Sequence, residues 1–243
     1  MPAPIERPLG EQVSWSPVTA PTPGPLRGSH VLLRSVDAAG DAESLYAATH
    51  PPEGDPAIWT YLMDGPYAGE KELQAMLAEA ADSAERVFFA IVPLPGERPL
   101  GLASYLQIRP EYGVIEIGNL VFGTPLQRTT AATEAIYLLA RHAFDDLGYR
   151  RLEWKCNALN AASRAAAERF GFTFEGIFRN HQVVKGRNRD TAWLSITNSE
   201  WPAIRAGFEE WLAAGNFDER GHQLDPLGEL IARARRRLVA GGS

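Results

Sequence analysis

EIGNLVFGTPLQRTTAATEAIYLLARHAFDDLGYRRLEWKCNALNAASRAAAERFGF, residues 116–172, is the stretch whose reading decides the fold. Residues 114–122 are apolar and rich in β-branched side chains, with Gly118 among them, which predicts a strand carrying a bulge. Gly123-Thr124-Pro125 turns the chain. Ala132, Ala135, Ile136, Leu139, Ala143 and Leu147 then recur at helical spacing and predict a helix over 129–147. The first amides of a helix have no intrahelical partner, and partial positive charge gathers around them. The small and polar run Gln127-Arg128-Thr129-Thr130-Ala131-Ala132 can therefore hold a diphosphate, with Arg128 adding charge. It equally suits an ordinary threonine-capped helix start. Residues 151–156 read as a second strand. Asn160 then caps a short helix over 161–169, which Gly171 ends between Phe170 and Phe172.

Five short matches lie along this order: Glu116-Ile-Gly118, Ala132-Thr-Glu134-Ala135, Leu147-Gly-Tyr149, Asn160-x-x-Ser163 and Gly171-Phe-x-x-Glu175-Gly176. With their flanking elements they span roughly residues 32–197. The arrangement resembles the GNAT acetyltransferase superfamily, most closely the branch related to ribosomal-protein N-terminal acetyltransferases. That resemblance implies an α/β fold with a mixed, mostly antiparallel, splayed sheet flanked by helices. It implies acetyl-CoA as cosubstrate and no metal. It places the pantetheine arm along Leu120, Val121 and Phe122, and the diphosphate on the amides of Gln127, Arg128, Thr129, Thr130, Ala131 and Ala132. Asn160 would sit beside the pantetheine and Ser163 near the sulfur or the phosphate arm.

The sequence departs from the family pattern at two positions, Thr130 and Ala167. Thr130 stands where glycine is usual, Ala132 where glycine or alanine is, and a threonine amide can still donate while its hydroxyl adds a further bond. Ala167 stands where many members carry a tyrosine that protonates the departing thiolate. Ser163 is the local substitute; a serine does not titrate near neutral pH, so it would hydrogen-bond the thiolate or relay a proton through water.

Acetyl transfer to an amine needs a held thioester, an uncharged amine, a stabilised oxyanion and a proton for the leaving sulfur. Glu116, on the predicted central strand, can take the amine proton through water, and equally can pair with a neighbouring arginine. Glu175, His181 and Glu153 are the other candidates for the base. Cys156 has no His/Asp arrangement near it in sequence and reads as a small buried residue. Trp59 and Tyr61, in the turn-rich segment after Pro51-Pro-Glu-Gly-Asp-Pro56, either wall the acceptor cleft or plug the edge of the core. The basic cluster Arg179, His181, Lys185, Arg187 and Arg189 favours an acidic acceptor or the cofactor phosphates where it faces the cleft, and otherwise is a solvated hairpin. Arg179 is the member assigned to substrate. A non-catalytic CoA-binding domain of the same fold is the alternative reading.

The 243 residues suffice for one domain with a full core. A net charge of −6 argues against a nucleic-acid partner. A single cysteine excludes an intrachain disulfide and suits a reducing cytoplasm. No apolar run approaches membrane-spanning length, and the N-terminus has no leader pattern. The acceptor is expected to be a small-molecule or peptide amine, and the protein a monomer or homodimer.

Residues 1–28, rich in proline, are expected to form an extended arm pinned by Val13 and Trp15; residues 29–214 the domain; residues 215–243 a polar tail, holding a docked helix before a disordered end. Strands are predicted at 31–34, 87–92, 100–108, 172–178, 182–184 and 191–197, with a turn at 185–188. Helices are predicted at 38–49 with Asp37 as cap, at 69–84, and at 201–213 with Pro202 in its first turn.

Overall fold

The computed structural model describes residues 7–241; the expected disordered end falls partly outside that range, as do Pro2 and Pro4 of the arm. Eight strands form one sheet: β1 (Leu26–Arg27), β2 (Val31–Ser35), β3 (Val87–Pro93), β4 (Gly101–Arg109), β5 (Val114–Phe122), β6 (Arg151–Asn157), β7 (Thr173–Val184) and β8 (Arg187–Thr197), in the order β1-β2-β3-β4-β5-β6-β8-β7. Every neighbouring pair is antiparallel except β5 and β6, which run parallel. The helices are α1 (Ala38–Thr49), α2 (Glu70–Ala81), α3 (Thr130–Arg141), α4 (Ala161–Arg169), α5 (Trp201–Leu212) and α6 (Leu227–Gly241). This is the mixed, mostly antiparallel, helix-flanked sheet expected.

The sheet has a core on each face, so its middle strands are buried on both sides, β3 almost continuously. Leu45, Leu73 and Leu77 from α1 and α2 pack on Phe88, Ala90, Leu102 and Val121. Ile136, Leu139, Ile204 and Phe208 from α3 and α5 pack on Leu33, Ile91, Ile115 and Leu152 from the other side. Asp37 caps α1 through the Ala39 amide, as its position predicts. Glu134, buried in α3, accepts from the amides of Ser29 and His30 at 2.9 and 2.6 Å and so ties the β1–β2 turn to the helix. The 129–147 helix changes pitch on the way: after Arg141 the segment His142–Asp146 is a π-turn.

Trp15 holds the N-terminal arm. Its Nε1 donates to the Glu111 carbonyl at 2.9 Å, and its ring lies under Arg150. Val13 is half exposed and contributes no comparable anchor. β1 lies inside the stretch expected to be arm. In the C-terminal segment α6 docks on α5 through Leu227, Leu230, Ile231 and Ala234.

Gly207 makes that docking close. A Cβ there would stand 2.8 Å from the backbone N and Cα of Ile231. Gly207→Ala is expected to lower the urea midpoint. Overpacking against backbone costs about 1–3 kcal/mol, while alanine returns at most about 1 kcal/mol of helix propensity. An unaltered midpoint would mean the two helices separate without cost.

Candidate active site

The site follows from one interruption in the sheet. β5 and β6 pair in parallel from Val114–Arg151 to Ile117–Trp154 and then stop, although β5 continues to Phe122 and β6 to Asn157. On its other side β5 carries the bulge that Gly118 predicts. Residues from Gly118 to Val121 face Ser104 to Leu102, and Asn119 takes φ 50°. The Asn119 side chain accepts from the Ser104 hydroxyl at 2.9 Å, which holds the bulge. The two strands thus diverge around a cleft of about 590 Å³, walled by Gly118, Asn119, Leu120 and Phe122 on one side and by Trp154, Lys155, Cys156 and Asn157 on the other. Val121 points the opposite way, into the core beneath α1 and α2.

At one end of the cleft lies the β5–α3 junction. Gln127 and Arg128 line it. Thr129 caps α3, its hydroxyl accepting from the Ala132 amide at 3.1 Å. The Gln127 amide is bonded to the Gly123 carbonyl and the Thr129 amide to that of Leu126, while the Gln127 side chain donates to the Phe122 carbonyl. Gln127, Thr129 and Ala132 therefore build the turn. The amides of Arg128, Thr130 and Ala131 have no hydrogen-bond partner among the described residues, and the Arg128 guanidinium has no ion pair there. The left-handed position of the turn is Arg128, at φ 61°, and Thr130 does not need a positive φ. Glycine's conformational freedom is not required at Thr130.

On the second wall, α4 presents Ala162, Ser163 and Ala166 to the cleft, while Ala167 is fully buried in the core. Ala167, one turn on from Ser163, is therefore covered and does not line the cleft that Ser163 enters. Asn160 caps α4 by accepting from the Ser163 amide at 3.0 Å and also lines the cleft. Trp154 donates its Nε1 hydrogen to the Ser163 hydroxyl at 3.0 Å, which leaves the serine hydrogen free to point elsewhere. Burial pushes the Cys156 thiol up, the Ser163 hydroxyl opposing it; the cysteine is thus kept as an unionised thiol.

Glu116 sits in the floor, buried, with its Oε2 2.8 Å from Lys155 Nζ. Its partner is thus a lysine from the parallel neighbour. Burial raises the Glu116 pKa, against the charge of Lys155. Lys155 also pairs with Glu153 at 2.8 Å and lies over the Trp193 ring at 4.0 Å. Arg151 bonds Glu153 and grips Glu175 with both Nη atoms, and the Arg151 bond holds Glu175 low. His181 bonds Thr191. Of the candidates for the base, Glu116 lines the cleft, and Glu153, Glu175 and His181 do not.

The far end is closed by the loop before α2 and by the β7–β8 hairpin. Tyr61, Leu62 and Met63 line the cleft. Trp59 is buried, its ring edge-on to Tyr67 at 5.2 Å, and it lines a small adjoining pocket with Tyr67 and Phe88, not this cleft. Its carbonyl and that of Asp64 accept from Lys185 Nζ at 2.8 and 2.9 Å, so the hairpin tip ties down the loop. Arg179 is exposed on β7, outside the cleft, and Arg189 enters it. Sequence reading missed Lys155, Trp154, Asn119 and Arg189 as parts of this site. Arg189 had a signal in the basic cluster; the others had none.

Residues 30–173 match the family model for the acetyltransferase (GNAT) domain. Over 150 residues the chain is 25% identical to an uncharacterized N-acetyltransferase, p20, from Bacillus licheniformis, covering 60% of this chain and 84% of that one. Among solved structures it is similar to a GCN5-related N-acetyltransferase from Brucella melitensis, with 42% identity and a TM-score of 0.85 over 90% of this chain and 98% of that one. It is also similar to a protein described as a probable GNAT-family acetyltransferase from Chromobacterium violaceum, with 37% identity and a TM-score of 0.73 over 82% of this chain and 98% of that one.

Proposed function

The chain belongs to the GNAT acetyltransferase family and is an acyltransferase, and on that premise we propose that it moves the acetyl group of acetyl-CoA to a primary amine by direct attack. The observation that carries this reading is the β5–β6 divergence, a cleft with unpaired strand edges that ends at three uncommitted amides and a free arginine. Those features fit a pantetheine diphosphate. The backbone of Leu120, Val121 and Phe122 would bond the pantetheine as an added strand would. The amides of Arg128, Thr130 and Ala131, with the Arg128 side chain, would hold the diphosphate. Asn160, with its cap made, keeps its side-chain NH₂ for the pantetheine.

Acetyl-CoA supplies the acetyl group as a thioester. Glu116 takes the proton of the acceptor amine, directly or through one water, as the nitrogen bonds to the carbonyl carbon. Ser163, set by Trp154, hydrogen-bonds the sulfur as the C–S bond breaks and passes it a proton from water in one relay, so that the hydroxyl stays protonated and the proton taken by Glu116 returns to solvent. The products are the amide and CoA thiol. No covalent enzyme intermediate is involved, which agrees with Cys156 being held as a thiol. We place the reaction in the cytoplasm, where a free thiol stays reduced.

The test is calorimetry with acetyl-CoA followed by a thiol-release assay on a panel of primary amines. Saturable binding below about 1 mM, the upper end of common KM values, with CoA released in step with an amine, is expected. No heat of binding at that concentration ends the proposal.

A further inference from the structure

The cleft holds a cation for which the reaction as proposed has no use. Of the basic side chains lining it, Arg128 belongs to the diphosphate end, and Lys155 is neutralised by Glu116 and Glu153, each at 2.8 Å. Arg189 has no ion pair within 4 Å among the described residues, and its charge reaches Glu116 and Cys156 only from further across the cleft. It makes a weak contact, Nη1 to the Met63 sulfur at 3.5 Å, and its Nε is buried with no partner among the described residues. A guanidinium offers five N–H donors in a planar fork, and a buried donor left unbonded costs free energy. Met63 belongs to the loop before α2, so Arg189 borders the cleft where that loop meets the β7–β8 hairpin. The second oxygen of Glu116, Oε1, has no hydrogen bond among the described residues, because Lys155 takes Oε2. One cleft therefore shows a carboxylate oxygen without a hydrogen bond and, within electrostatic reach of it, a guanidinium without an ion-pair contact.

Building on the acetyltransferase reading above, we propose that Arg189 binds a carboxylate carried by the acceptor, so that the substrate is a small amine of the amino-acid type, its nitrogen toward Glu116 and its carboxylate on Arg189. The arrangement suits such a molecule in charge and in order. A polyamine would bring further positive charge against Arg189. A peptide N-terminus has its α-carboxyl converted to an amide and offers the guanidinium no carboxylate next to the amine. The apolar side chains of Tyr61, Leu62 and Met63 would border the acceptor's remaining carbon chain.

The test uses the full chain, saturating acetyl-CoA, and matched pairs of amines that differ only in the carboxylate: phenylalanine with phenethylamine, and leucine with isoamylamine. Spermidine and short peptides with free N-termini complete the panel. We expect kcat/KM for the α-amino acid to exceed that of its decarboxylated partner by 10-fold or more, as loss of a charge-assisted bidentate contact does. Arg189→Gln is expected to collapse that ratio toward one, chiefly through KM, and Arg189→Lys to restore part of it. Calorimetry of each variant with acetyl-CoA reports whether the cofactor end is intact. Equal or better turnover of the decarboxylated amines, of spermidine or of peptides overturns the carboxylate proposal and leaves the acetyltransferase reading standing. So does an Arg189→Gln variant that loses acetyl-CoA affinity to the same extent, because Arg189 would then be a phosphate ligand. If acetyl-CoA binds but no carboxylate-bearing amine binds or releases CoA, the proposal is wrong. If acetyl-CoA itself does not bind, the underlying reading fails first.

Discussion

Glu116→Gln is expected to lower kcat/KM about 10²–10⁴-fold, the usual worth of a positioned general base, while acetyl-CoA binds as before. The substitution keeps the shape of the side chain and removes the basic oxygen. Lys155 is not orphaned, because its 2.8 Å contact with Glu153 remains. The pH profile separates this role from a structural one. Burial raises the pKa of Glu116 from its ordinary value, against the pull of Lys155. A base works only when deprotonated, so the acid limb of log kcat/KM should contain this group in the native enzyme. In the glutamine variant the limb should lose one proton of slope, leaving the titration of the acceptor amine.

Stability gives the opposite sign. A carboxyl whose folded pKa lies above its unfolded value favours the fold while protonated, and that stability is lost as pH rises from about 4.5 through the raised value. Once ionised, Glu116 is therefore a cost to the fold, and above that range Glu116→Gln should hold or raise Tm. Lost activity together with a lowered Tm and an unaltered pH profile would instead mark Glu116 as a structural partner of Lys155.

Most of the fold was legible because the strands and helices carry strong periodicity and clear punctuation. Residues 114–122 and 161–169 begin and end where the apolar pattern and the caps place them. The failures have local causes. Apolar spacing over 129–147 marks a buried face but does not distinguish i→i+4 from i→i+5 bonding, so the π-turn at His142–Asp146 was hidden. Arg179-Asn180-His181 reads as a loop because it is polar, yet it lies within β7, an exposed edge strand that accommodates Asn180 at φ 52°.

The site was less legible than the fold because its contacts join distant segments. Glu116 meets Lys155 because β5 and β6 are parallel neighbours, and no spacing within either strand reveals that. The choice between Arg179 and Arg189 is made by hairpin register. The two-residue turn at Lys185-Gly186, both left-handed, pairs Arg189 with Gln182 and sets which arginine reaches the cleft. Trp59 and Tyr61 sit two residues apart in the same turn-rich segment, and burial alone sends the tryptophan to the core and the tyrosine to the cleft.

Thr130→Pro is expected to weaken acetyl-CoA binding about 10–100-fold, the worth of one hydrogen bond to a charged phosphate oxygen, and to leave the fold intact. The position is suited to the experiment. Thr130 is the first residue of α3, where proline is well tolerated and its fixed φ fits the helix. The residue before it, Thr129, is extended, at φ −94° and ψ 162°, as a residue preceding proline prefers. The Thr130 amide has no partner in the described residues, so the ring removes no hydrogen bond from the folded chain, and Thr129 continues to cap Ala132. What disappears is one donor aimed out of the helix start, together with the hydroxyl, whose share Thr130→Ala reports. Acetyl-pantetheine, which lacks the diphosphate, should bind the native chain and the proline variant alike. If Thr130→Pro holds acetyl-CoA as tightly as Thr130→Ala does, the diphosphate is bound elsewhere, and the junction between β5 and α3 is only a capped helix start.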